Sequence, residues 1–111
     1  PSRLQVSSSD IKTSGIKTYQ LSLAAETDLG DIFDYTANEF GSDQAARYLT
    51  ELEAHLTQLI ANPKLGRERK DIRTGLRSMV CNSHVIFYRV RTDHIRVVRI
   101  LHCSRDLPKF F

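Results

Sequence analysis

At 111 residues, 41% of them hydrophobic and 26% charged, the chain holds enough apolar material for one core and too little length for a second domain. The net charge is +3, no apolar run approaches the roughly 20 residues that cross a bilayer, and no charged-then-apolar segment resembles a secretory signal, which sets aside a membrane partner and makes the cytoplasm the expected location. Two cysteines, Cys81 and Cys103, and four scattered histidines lack zinc-ligand spacing, so two reduced thiols are expected, with no metal and no cofactor.

Residues 1–16 are rich in Ser, Thr and Gly without sustained periodicity, and read as a disordered or appended leader; the single domain is expected over residues 17–111. In residues 17–23, Tyr19, Leu21 and Leu23 alternate with polar residues, the period of a half-buried strand. Ser22 suits the N-cap of the helix that follows. Residues 24–40 place Ala25, Leu29, Ile32, Phe33, Thr36 and Phe40 on one helical face, with Glu26, Asp28, Asp31 and Asp34 largely outside it near the positive end of the helix dipole. Gly41 stops this helix and Ser42 with Asp43 opens another, which runs to about Ile60 on a stripe of Ala45, Leu49, Leu52, Leu56 and Leu59 before Asn62-Pro63 ends it. So short a connection makes the two helices antiparallel neighbours with a shared apolar face.

The charged segment 64–74 is expected to be a solvated loop with Gly66 permitting a turn and Ile72 as its anchor. Then come three apolar runs, residues 76–81, 85–90 and 95–101, separated by Asn82-Ser83 and Arg91-Thr92-Asp93. Connections this short join antiparallel strands, and the β-branched and aromatic content suits a pleated surface, so residues 75–106 predict a three-stranded meander. One strand, two helices and three strands make an α+β domain in which the helical hairpin covers one face of a four-stranded sheet.

Charge divides the chain. Residues 24–60 hold eight acids against one base, whereas residues 64–111 hold twelve bases against four acids, so the meander half is the one to match with an anionic partner.

Several short motifs follow one another in a telling order: Tyr19-x-Leu21-Ser22, Ala25-x-x-Asp28-Leu29-x-x-Ile32-x-x-Tyr35, Phe40-Gly41 with Gln44-Ala45, residues 59–63, Gly75-Leu76-Arg77-Ser78, His84-x-Ile86-x-Tyr88-Arg89, then Arg99-Ile100-Leu101-His102 with Arg105-Asp106. In that order and spacing, from residue 17 to 106, the chain resembles the toxin component of bacterial type II toxin–antitoxin systems, in the superfamily of ParE and RelE, and most of all the ParE branch. The resemblance implies a RelE/ParE-like fold with the first strand beside the last and parallel to it. It also implies a cognate antitoxin as partner, with DNA gyrase as the target and DNA contacted through gyrase. RelE-like relatives cut messenger RNA on the ribosome instead, and a shared scaffold does not choose between these activities.

Metal-free ribonuclease chemistry needs a base, an acid and phosphate-neutralising cations, for which Arg77, His84 and His102 are the candidates. In several ribonuclease members the last strand ends in His followed by Tyr, whereas here Cys103 follows His102. Structural readings compete: His84 as an ordinary strand-start imidazole, Tyr88 in a cross-strand aromatic pair, and Arg77, Arg89 and Arg99 as solvating cations. Non-catalytic inhibition of gyrase is therefore the expected activity, with ribosome-dependent mRNA cleavage as its alternative. The expected target-binding residues are Arg77, Arg99, Arg105, Lys109 and Phe111, and the expected antitoxin contacts are Leu49, Leu56, Arg77 and Arg89.

Overall fold

The structure, a computed structural model, describes residues 16–104. The expected leader and the tail with Arg105, Lys109 and Phe111 lie outside the described residues. The chain runs β1 (Thr18–Leu21), α1 (Leu23–Phe40), α2 (Ser42–Ala61), β2 (Arg67–Glu68), β3 (Arg77–Cys81), β4 (His84–Val90) and β5 (His94–His102). The sheet order is β1-β5-β4-β3-β2, antiparallel except that β1 lies parallel to β5, with Tyr19 opposite Ile95. The architecture is α+β of the expected kind, with the first strand beside the last.

Two local devices fix the hairpin. The Ser22 hydroxyl accepts from Ala25 N–H at 3.0 Å and donates to the Val98 carbonyl at 2.7 Å, so the residue that caps α1 also fastens its start to β5. Between the helices, Gly41 has φ of 95°, a conformation that glycine adopts at little cost. The helix α2 starts at Ser42 with Gly41 in the cap position and no side-chain capping bond, so Ser42 does not play the capping part expected of it.

The main core lies between the hairpin and the sheet: Ala25, Ile32, Leu52, Leu56 and Leu59 from the helices meet Cys81, Ile86, Tyr88, Ile95, Val97 and Ile100. Strict alternation would not allow Val97 and Ile100, three residues apart, to share a face. A register shift does: Tyr88 pairs with Val97 but Phe87 pairs with Arg99, which leaves Val98 as an extra residue and re-phases the end of β5. The opposite face carries a smaller cluster of Leu76, Val85, Phe87 and Leu101, with Ile72 packed against it as the expected loop anchor.

Four expectations are corrected. The sheet has five strands, because part of the charged loop pairs with β3 as β2, Arg67 opposite Ser78. Asp28 is buried rather than on the wet face of α1, and Phe40 is 67% exposed rather than in the core. Tyr88 forms no aromatic pair among the described residues: its hydroxyl donates to the Pro63 carbonyl at 2.8 Å and accepts from Gly66 N–H at 2.9 Å, tying the end of α2 and the following loop to the sheet.

Candidate functional site

At one end of the molecule, an open groove of about 1010 Å³ runs between α1, the start of α2 and the end of β5. Its walls include Asp28, Ile32, Tyr35, Thr36 and Phe40 from α1, Gln44 and Tyr48 from α2, and His84, Arg99, His102 and Ser104 from the sheet side. The side chains arrive there for local reasons. Tyr35 lies on the solvent flank of α1, 65% exposed, and with Phe40 gives the groove an aromatic rim. His84 and His102 are directly opposed on β4 and β5.

Asp28 is the electrostatic anchor. Its two carboxylate oxygens accept from Arg99 Nε and Nη2, both at 2.8 Å, and one of them also accepts from Ile100 N–H at 2.9 Å. A bidentate guanidinium bond plus a backbone donor compensates the burial of the acid. It also raises the Arg99 pKa, chiefly through the hydrogen bonds to Asp28. The sequence signal for this pair is Ala25, Asp28 and Ile32 in one helical phase: an acid inside an apolar stripe implies a partner.

The two imidazoles meet edge to face, with centroids 5.3 Å apart and planes at 83°. A backbone donor fixes the tautomer of His102. Ser104 N–H donates to His102 Nδ1 at 3.1 Å, and a backbone N–H can only donate, so the neutral ring carries its proton on Nε2. Tyr48 Oη sits 2.7 Å from His84 Nδ1 and accepts from Ser83 N–H at 3.3 Å. Burial raises the Tyr48 pKa, and the protonated phenol and His84 Nδ1 share one hydrogen bond. Burial, then repulsion from His102, lowers the His84 pKa from its ordinary 6.5, with Asp28 pulling weakly the other way. Each Nδ1 is therefore engaged from within the protein, His84 by Tyr48 and His102 by Ser104.

This bears on ribonuclease chemistry. A ring with Nδ1 engaged and Nε2 protonated has no lone pair left to take a proton from a 2′-hydroxyl. Arg77 is also elsewhere. It pairs with Tyr88, four residues along β4 from His84, roughly 13 Å at about 3.3 Å per residue. There Arg77 Nη1 donates to the Gly66 carbonyl at 2.6 Å, and Nη2 lies 3.7 Å from Glu68. The structure brings His84, His102 and Arg99 together and leaves Arg77 out.

Of the other expected contacts, Leu56 is 2% exposed within the core, so burial has already used its apolar surface, whereas Leu49 packs against the same cluster and is partly buried. Arg89 lies on the helix-free face of the sheet, with Nη1 donating to the Thr74 carbonyl at 2.8 Å. Tyr48, Ser104 and the aromatic rim escaped sequence reasoning because nothing in a one-dimensional pattern marks which residues line a groove.

The Cys81 thiol is not set up as a nucleophile. Cys81 Sγ is 3.1 Å from His55 Nδ1, but that nitrogen is also 2.8 Å from the Glu51 carbonyl, which can only accept. His55 Nδ1 is thus a donor and cannot take the thiol proton, while burial, then the Glu51 carboxylate, raises the Cys81 pKa. Cys103 is a free, exposed thiol. Among the described residues no group of three or more His, Cys, Asp or Glu side chains is placed to hold a metal ion.

Residues 19–107 match the family model described as ParE toxin of type II toxin-antitoxin system, parDE. The chain is 42% identical over 92 residues to Toxin ParE1 of Mycobacterium tuberculosis, covering 82% of this chain and 94% of that protein. It is 38% identical over 91 residues to Toxin ParE1 of Caulobacter vibrioides, with the same coverage of 82% and 94%, and 34% identical over 90 residues to Toxin ParE of Escherichia coli, covering 80% and 87%. A solved structure titled Chromosomal ParDE TA system from P. aeruginosa superposes with a TM-score of 0.69 at 20% identity, covering 80% of this chain and 98% of that one, a likeness of fold.

Proposed function

We propose, from the premise that this chain belongs to the ParE toxin family of type II toxin–antitoxin systems, that it inhibits DNA gyrase by binding and without chemistry of its own. A toxin of such a system has a cognate antitoxin, which neutralises it. The observation that carries the non-catalytic reading is the state of the histidine pair: both Nδ1 atoms are engaged in internal hydrogen bonds, and the expected cation, Arg77, is displaced along the sheet, opposite Tyr88.

The groove supports the antitoxin half of the reading. Tyr35 and Phe40 are exposed aromatics on its rim, the kind of residue that anchors interfaces, and they take the place of the buried Leu56 as antitoxin contacts. The outer flank of α1 also carries Asp31 and Asp34, which favour a partner segment with bases beside its apolar anchors.

Titration of the purified chain into gyrase tests the target. Supercoiling should fall and cleaved DNA complexes should accumulate as toxin is added, and the cognate antitoxin should reverse both. The second reading, a ribosome-dependent endoribonuclease, keeps one observation in its favour, the paired imidazoles beside Arg99 in an open groove. Unchanged gyrase activity together with codon-phased cuts in ribosome-bound messenger RNA, lost in His102→Ala, would put that reading first.

A further inference from the structure

The face of the sheet turned away from the helices is built differently from the groove. Ile86 and Tyr88 face the hairpin core, so alternation turns Arg89 outward; Ile95 and Val97 do the same for Arg96. Register sets Arg89 and Arg96 directly opposite each other, a placement in which like charges repel. Arg67 shares this face, because its partner Ser78 has the opposite phase to the core-facing Met79.

No acid relieves this repulsion among the described residues. The ion pairs there are Arg69 with Asp71, Lys70 and Arg77 with Glu68, His94 with Asp93, and Arg99 with Asp28, which leaves Arg89 and Arg96 without a carboxylate, while Arg67 feels Asp71 only at longer range. Arg89 is held in place by the Thr74 carbonyl, and Gly75 beside it leaves no room for a side chain, since a Cβ there would come within 2.9 Å of Arg89 Nη1. The arginines span β2 to β5, three strand spacings, roughly 14 Å at about 4.8 Å each.

The chemistry of this face selects the partner. Protein interfaces are anchored by aromatic side chains, but Phe87, the large aromatic here, is fully buried with the Arg69 guanidinium 5.7 Å from its ring centroid. What remains for a partner is spaced positive charge, uncompensated at Arg89 and Arg96, the counterpart of a phosphate backbone. We propose that the outer face of the sheet, through Arg67, Arg89 and Arg96, binds the backbone of duplex DNA. For its cellular setting this rests on the gyrase reading, to which it adds a grip by the toxin itself on the DNA that gyrase holds.

Fluorescence anisotropy with a labelled 20-base-pair duplex tests it. The unmodified chain should bind, with log affinity falling against log salt at a slope of about −3, as expected for three neutralised phosphates at about 0.9 each. Arg89→Glu with Arg96→Glu should weaken binding at least tenfold and flatten the slope by about 2. If circular dichroism shows that this pair misfolds, Arg89→Gln with Arg96→Gln takes its place. Arg47→Glu with Lys64→Glu changes net charge equally on exposed sites away from β4 and β5, and should leave affinity within about threefold.

Equal loss in the two double variants would reduce the effect to overall charge and overturn the proposal. So would absence of duplex binding in 50 mM salt, or binding of a polyglutamate peptide in preference to the duplex, which would assign the face to an acidic protein. The gyrase assay separates the two ideas. Gyrase inhibition without duplex binding sinks this proposal and spares the target reading, whereas duplex binding without gyrase inhibition does the reverse.

Discussion

Asp28 and Arg99 show how one buried pair both stabilises the fold and shapes the groove. The carboxylate is 8% exposed and holds a guanidinium and a backbone N–H at once, so it joins α1 to the end of β5 where the register shift occurs. Asp28→Asn keeps the size but removes the charge that compensates Arg99, and should cost about 2–4 kcal/mol in urea unfolding at pH 7, less than a fully buried pair because Arg99 is 22% exposed. In a double-mutant cycle with Arg99→Gln the two losses should fall well short of adding. His84 sets a pH dependence. Its folded pKa lies below the unfolded value of 6.5, so the unfolded chain takes up the proton first: this contribution is complete above pH 6.5 and is lost as pH falls through the folded pKa. Urea midpoints should therefore drop between pH 7.5 and 5.5 more steeply in the unmodified chain than in His84→Asn.

Among the elements, the segment from the end of α2 through β2 departs furthest from its expected character. A run of charge suggested solvent, yet the Tyr88 hydroxyl reaches through the sheet edge to hold Pro63 and Gly66. Gly66 is needed there for room. A Cβ on it would lie 2.6 Å from the Tyr88 hydroxyl and 2.7 Å from the Ser78 carbonyl, and a backbone carbonyl cannot swing aside. Gly66→Ala should destabilise by about 1–3 kcal/mol, read as a lower urea midpoint with an unchanged slope. The turn before β4 is simpler. Asn82 has φ of 55°, which Asn tolerates better than most residues, and its side-chain amide donates to Glu51 at 2.8 Å, so the turn also braces α2.

At the scale of the molecule, the sheet separates two chemistries. On the helical side the groove offers aromatic rings and a carboxylate already satisfied by Arg99; on the other side Arg67, Arg89 and Arg96 share a face, and among the described residues Arg89 and Arg96 have no carboxylate partner. An antitoxin in the groove and a nucleic acid on the outer face would approach from opposite directions, so neutralisation need not compete with DNA contact. The acidic and basic halves of the sequence thus become two faces of one fold, with Asp28 and Arg99 as the bond between them.

Much of this was set by the sequence alone. Apolar residues at helical and strand spacing located both helices and the four longer strands, and the short connections dictated an antiparallel hairpin and meander, because those features depend on neighbours along the chain. The ordered motifs also pointed to the family that the comparisons bear out. Tertiary structure decided the rest. It turned Leu56 from an expected antitoxin contact into core, made a strand of Arg67-Glu68, put Asp28 under Arg99, and separated Arg77 from His84 and His102. Each of these depends on residues far apart in sequence meeting across the sheet, and periodicity carries no information about which strand, helix or loop a side chain will find opposite it.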